Sequence, residues 1–519
     1  MKRYIIAAFA TLLLLNSCSK KLDLAPVSSV SDANYWQTPD QVDAFVTGIH
    51  SRFRSDNGNF LFLGEMRSDI FGLEPGASGS FTTEATQGLE VMWLQKLDVG
   101  SPGVSNFGGF YFNINQLNLL ISKLSNTNLV SQDVKAYYLG QAYGMRAFYY
   151  FQLLRSWGKV VIQTEPVSSI DISNLAKPAS SEADVMKLIK SDIDNSNTSF
   201  SNNYSFTPTS MPAASNRKAL WSKSATQMLK AEVYLWTSYR GSGSADATIA
   251  KTALTDIQAN VPSLSLLPNF SDVFATKGNN EIIFASRYQQ NEATMAFVPT
   301  SFVPQTGLIA NFYDSAQNRK MNDPLKDNWG GLLRAPVKSA TFRQYDDRDS
   351  RKWVTIQPGY TLAGGVYKIA GTFVRKYFGE NVSGSRQYTN DYPIYRYADL
   401  LLLLAEAKVI LGENPSTEIN LVRARGFGSN YNSATLGFPN QAIDADPKEA
   451  ILQERLYEFI FEGKRWYDLR RMGDTYLFKH IPVSLFTNTD PAGRLLWPID
   501  RNSLTNNRSL EQNPGYSKF

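Results

Sequence analysis

The chain has 519 residues with 52 basic and 47 acidic side chains, a formal charge of +5 that is too weak for a nucleic-acid surface. One cysteine excludes an intrachain disulfide, and two histidines without ligand spacing argue against a zinc centre. Aromatic residues make up 13% of the chain, an abundance that suits packed cores and binding platforms.

In chain order, Met1-Lys2-Arg3 precede an apolar run from Tyr4 to Leu15, then Asn16-Ser17-Cys18. A basic start, a short apolar run and a small residue at the cut predict a secretory signal over 1–17, too short to span a bilayer. Leu15-Asn16-Ser17-Cys18 reads as a lipobox, with Asn16 where Ala or Ser is more usual, so Cys18 is expected to carry acyl chains that tether an exported body. Losing Lys2 and Arg3 with the signal leaves a formal charge of +3. Residues 18–38 read as the lipidated tether and N-terminal segment, and 39–519 as a single domain.

Within that domain the apolar spacing of Val42, Phe45, Val46, Ile49 and Phe53 predicts a helix beginning near Asp40. Gly72 to Gly109 reads as long loops. Ser131 is the expected N-cap of a helix running to Trp157, and Asn216 that of another running to Tyr239. A third helix is expected from Tyr395 to about Leu411. Its five leucines, Leu400 to Leu404, make it apolar all round and therefore buried. The last predicted helix runs from Pro447 to Arg471, capped by Asp446, with Glu449 completing a capping box and Gly473 closing it. Asn311 to Asn390 should form loops with short strands. The fold class is thus mainly α, with helical pairs interleaved with loop-rich regions at about 60–112 and 260–392. Small and aromatic residues mixed on the contact faces suggest tetratricopeptide-like stacking, although no clean 34-residue period is present.

Several ordered blocks resemble the SusD/RagB family of surface lipoproteins. They include Leu22-Asp23-Leu24-Ala25-Pro26, Asn34-Tyr35-Trp36 and Arg155-Ser156-Trp157-Gly158. The most specific are Tyr395-Arg396-Tyr397-Ala398-Asp399 with its leucines, Asn420 to Arg425, and Phe461-Glu462-Gly463-Lys464-Arg465-Trp466-Tyr467-Asp468. The resemblance implies a tetratricopeptide-like scaffold carrying a loop-rich part. It also implies a role at the outer membrane: capture of a nutrient, usually an oligosaccharide, for a SusC-like TonB-dependent transporter. Two alternatives stand beside the glycan receptor: a peptide-binding RagB-like receptor, and a structural lid of the transporter without affinity of its own.

No nucleophile elbow or His-x-x-x-His pair is present, and neither catalysis, a metal nor a cofactor is expected. Asp346-Asp347-Arg348-Asp349 reads as a solvated turn. Glu462, Lys464, Arg465 and Asp468 are expected to pair across stacked helices, and Glu406 to meet an arginine in the same layer. A sugar is held by an exposed ring together with planar donors and carboxylates, so loop residues are the candidates. They are Arg67, Asp69 and Trp93 in the first loop-rich region, and Trp329, Arg343, Tyr345 and Trp353 in the second. The competing reading for each aromatic is a packed loop anchor, and Arg67 and Asp69 lean toward structure.

Overall fold

The computed structural model of the protein describes residues 35–73, 81, 85, 87–167, 176–206, 217–440, 442–486 and 493–518. The signal segment 1–17, Cys18, the tether up to residue 34 and Asn216 lie outside the described residues.

The first helix, α1 (Pro39–Ser55), begins where the sequence says it should. Thr38 is extended, its hydroxyl accepts from the Gln41 N–H, and the Gln41 amide accepts from the Thr38 N–H at 3.0 Å, a complete capping box. Val42, Val46, Ile49 and Phe53 form its buried face. The helices α2 (Asn57–Glu65), α3 (Phe107–Ser125), α4 (Gln132–Trp157), α5 (Glu182–Phe200), α6 (Lys223–Thr237), α7 (Gly243–Asn260), α8 (Tyr397–Ile410), α9 (Ser416–Phe427) and α10 (Pro447–Phe459) follow. From α3 to α8 each packs on the next, α1 packs on α3, and α8 packs on both α9 and α10. This is the one-dimensional stack of a tetratricopeptide-like scaffold. Glycines let aromatic rings reach the helix backbones. A Cβ on Gly140 would lie 2.8 Å from the Phe200 ring, and one on Gly144 would lie 2.1 Å from the Trp221 indole nitrogen.

Three predicted boundaries move, each for a local reason. The helix expected from Asn216 starts at Lys223, capped by the Ser222 hydroxyl. The His50 ring holds the Trp221 N–H at 3.0 Å just ahead of it, and Arg217–Ala219 form a separate turn. The helix expected from Tyr395 starts at Tyr397, because Tyr392–Arg396 form a strand, β8, paired with β1 (Ile282–Ser286). The helix expected over Pro447–Arg471 is two helices, α10 and α11 (Arg465–Met472). Ile460 leaves the helical region, and Phe461 and Gly463 have φ of 68° and 72°. The break receives α2: a Cβ on Gly64 would stand 1.7 Å from the Gly463 carbonyl oxygen, and Glu65 accepts the Phe461 N–H at 2.7 Å. Asp446 caps α10 as expected, whereas Glu449 turns to His480 at 2.6 Å.

Opposite the stack, residues 311–390 hold the short strands the sequence predicts. A four-stranded antiparallel sheet runs in the order β3 (Arg319–Lys320), β2 (Tyr313–Asp314), β4 (Ile356–Ala363), β5 (Val366–Val374). A small hairpin of β6 (Glu380–Val382) and β7 (Ser385–Gln387) follows. Between stack and sheet lies a buried charge network. Arg396 meets Glu281, Glu458 and Glu462, Arg425 meets Glu281 and Glu458, and Arg351 meets Asp349, Glu454 and Glu458. A second cluster joins Arg455 and Lys464 to Asp399 and Arg471 to Glu406 and Asp468, as expected for these charges. Asp349 departs from the solvated-turn reading: it caps the helix Ser350–Thr355 and is buried against Arg351, while Asp346 pairs with the exposed Arg348.

Candidate functional site

Most of the candidate ligand residues are built into the core. Arg67 is buried, donates to the carbonyls of Arg494, Leu495 and Leu496, and stacks on Trp466 with its Cζ 4.5 Å from the ring centre. Asp69 makes a two-pronged pair with Arg465 at 2.9 and 2.8 Å. Trp93 and Trp329 are buried. Trp329 is held by the edge-to-face rings of Phe373 and Phe378, and Tyr345 is buried against Tyr457. Exposures of 6%, 2% and 3% for Trp93, Trp329 and Tyr345 leave none of these three rings a broad face for a sugar. Arg343 is exposed at the end of the short helix Ser339–Gln344. Trp353 is the candidate that keeps an open ring, 36% exposed. Its indole N–H donates to the Asp347 carbonyl at 3.0 Å, and Phe342 supports it edge-on, so the exposed face is fixed in direction.

Trp353 stands on the wall of an open cleft of 550 Å³, large enough for several sugar rings. Phe274, Arg375, Phe378, Glu380 and Asn390 are among its lining residues. Lys376 forms part of the floor. Burial pulls its amine down to about 8 despite the attraction of Glu462, to which it donates at 2.7 Å. A second cleft of 280 Å³, lined by Arg319, Lys326, Asp327, Trp329 and Arg386, shares Arg375, Phe378 and Gly379 with the first. The two adjoin at these shared residues, a groove of two parts in which Asp314 also lines the second. Beside it, Tyr313, Tyr360 and Tyr367 from β2, β4 and β5 gather half-buried rings with centres 5.9 and 6.0 Å apart, and the Arg343 charge acts on Tyr360. Sequence reading missed Phe378, Arg375 and the three tyrosines. Loops with short strands were expected over 311–390, but which strand faced which was not visible.

The groove offers aromatic faces, side-chain amides and guanidinium donors, a set that binds polar ring-shaped ligands. Among the described residues, no group of three or more His, Cys, Asp or Glu is placed to hold a metal ion. No described helix is long and apolar enough to cross a membrane.

Comparison with known proteins agrees with the architecture. The SusD family matches residues 339–516, and a family described as starch-binding and associating with the outer membrane matches residues 82–239. The chain is 27% identical to SusD-like protein P38 of Formosa agariphila, covering 97% of this chain and 96% of that one. The fold is that of a surface glycan-binding protein A from Bacteroides thetaiotaomicron in complex with laminarihexaose, at 19% identity, TM-score 0.67, 92% of this chain and all of the other. The structure of B. fragilis NanU is 42% identical and superposes with a TM-score of 0.85, over 95% of this chain and all of that one. A SusD superfamily protein from Bacteroides vulgatus is 37% identical with a TM-score of 0.83, over 93% of this chain and all of that one, and the chain belongs to the SusD family.

Proposed function

We propose that the protein is a cell-surface lipoprotein that binds an oligosaccharide and delivers it to a SusC-like TonB-dependent transporter of the outer membrane. The observation that carries the reading is the groove, in which the fixed, exposed face of Trp353 and the half-buried ring of Phe378 stand among polar donors. A pyranose presents apolar C–H faces to such rings and its hydroxyls to such donors. The relatives support this ligand class: one solved relative of the same fold is a glycan-binding protein with a bound glucan hexasaccharide.

The role is capture and not cleavage. Glycoside hydrolysis uses two carboxyl groups facing the bond. The larger cleft has one, Glu380, which accepts from the Thr389 hydroxyl at 2.8 Å; in the second, Asp327 is paired with Arg319 and Asp314 accepts the Ala316 N–H at 3.1 Å. Acylation of Cys18 would hold the body at the membrane through a tether of about twenty residues.

The test is an affinity-gel and glycan-array screen with the soluble form starting after Cys18. Binding to a polysaccharide, lost in Trp353→Ala and in Phe378→Ala while Trp353→Ala still unfolds cooperatively, is the expected result. Retention of peptides but no glycan across a broad array would sink it. In cells, Cys18→Ser should move the protein out of the membrane fraction; unchanged fractionation would remove the anchor.

A further inference from the structure

Among the described residues, buried arginines are matched by carboxylates, as Arg146, Arg155 and Arg465 are by one each, or by backbone carbonyls. Arg396, Arg351, Arg423, Arg455 and Arg471 each meet two or more carboxylates. Arg67 and Arg386 each donate to three backbone carbonyls instead. Both solutions are what burial of a charge requires.

Arg375 has neither. It follows β5 directly, its guanidinium is removed from most of the solvent, and its side chain makes a single long contact, Nη1 to Gln357 Oε1 at 3.4 Å. Burial lowers its pKa, with only Asp314 acting at a distance to oppose this. Asp314 lines the second cleft, and Arg375 is a lining residue of both. Phe378 stands between it and Arg386, with guanidinium carbons 5.5 and 3.9 Å from the ring centre. On the rim, the Lys326 side chain is 62% exposed and 3.8 Å from its nearest carboxylate, Asp323. The other basic groups of the groove are already committed: Arg319 to Asp327, Lys376 to Glu462 and Lys277 to the Tyr288 carbonyl. A cation with no carboxylate in contact, beside an aromatic face and lining a cavity, is a site for an anion borne on a ring.

We infer that the groove takes an acidic saccharide, with a sugar ring against Phe378 and its carboxylate or sulfate ester on Arg375. This rests on the saccharide reading above and adds the charge of the ligand and the residue that reads it.

The experiment is calorimetric titration of the soluble protein with two matched pairs: oligogalacturonate against its methyl ester, and a sulfated galactan oligosaccharide against its desulfated form. In at least one pair the acidic member should bind about tenfold or more tightly than its neutral partner, the scale of a charge-assisted contact. Which pair shows it separates a carboxylate from a sulfate. The preference should vanish in Arg375→Gln, persist in part in Arg375→Lys and weaken as salt rises. Equal affinity for both members, or a preference that survives Arg375→Gln, overturns the inference. If neutral sugars then still bind and Trp353→Ala still abolishes that binding, the saccharide reading stands without it. If no saccharide of either charge binds, both readings fall. Should Arg375→Gln fail to fold, Arg375→Lys and the salt dependence decide.

Discussion

Two tryptophans that look alike in sequence behave as opposites. Trp329 and Trp353 both lie in polar, loop-rich stretches, yet Phe373, Phe378 and Arg386 enclose the first while the second keeps a face to solvent. Trp329→Ala should therefore cost about 3–5 kcal/mol in urea denaturation. Trp353→Ala should cost less, about 1–2 kcal/mol from its indole hydrogen bond and Phe342 contact, and act mainly on binding. A stability loss of equal size in both would contradict this division. Composition pointed to the right loops but not to the right rings, because the enclosing partners arrive from β5 and from the residues that follow it. Arg375 was illegible for the same reason. Nothing in Val374-Arg375-Lys376 tells a paired cation from an unpaired one until the carboxylates of the core are placed.

At the scale of elements, the helices with strong local signals were legible: α1 with its capping box, the leucine-rich α8, and α4 between Ser131 and Trp157. Helices α3, α5 and α7 were not named from sequence. The Gly-Gly pair at Gly108-Gly109 and the Ser/Asn/Thr-rich faces of α5 and α7 mask their period, and stacking between neighbours supplies what propensity lacks. The break between α10 and α11 was hidden because its cause, Gly64, lies about 400 residues away. Gly64→Ala should cost about 3 kcal/mol or more, since the Gly463 carbonyl has no room to retreat. A variant melting like the parent protein would refute the close approach.

Helix α12 (Asp474–His480) is clamped to α10 by a pH-dependent contact. Burial pulls the His480 imidazole down, and Asp69 and Glu449 more than reverse it, leaving its pKa raised. For Asp69 and Glu449 burial acts upward, and Arg465 with His480, or His480 with Lys479, outweighs it, leaving both carboxyls lowered. The raised imidazole contributes stability that is complete below about pH 6.5 and lost as pH rises through its folded value. The lowered carboxyls contribute stability present above about pH 4 and lost on acidification. The melting-temperature gap between the parent protein and His480→Gln should thus be widest near pH 5 and narrow above pH 7. A gap that does not vary with pH would rule out the clamp.

For the molecule as a whole, the buried charges tie the helical stack to the strand-bearing part. Glu458 serves Arg351, Arg396 and Arg425 together, so Glu458→Gln leaves three cations short of a counter-charge. The expected loss is about 3–5 kcal/mol by chemical denaturation, little changed by added salt because the site is closed to solvent. A loss below about 1 kcal/mol would show that the network is dispensable. The sequence reading expected pairing of Glu462, Lys464, Arg465, Asp468 and Glu406, and did not reach Glu458 or Arg351. It did not say which would meet, since Glu281 and Arg425 are 144 positions apart.

The contacts that close the first loop-rich region come from far along the chain. Glu65 waits for Phe461, Asp69 for Arg465, 396 positions later in both cases, and Asp98 for Ser517, 419 positions later. Arg67 reaches its carbonyls only at 494–496. A chain threaded N-terminus first through any pore must therefore hold these groups unmatched for most of its passage. The first loop-rich region stays incomplete until nearly all of the chain has come through, so its late closure follows from these few hydrogen bonds.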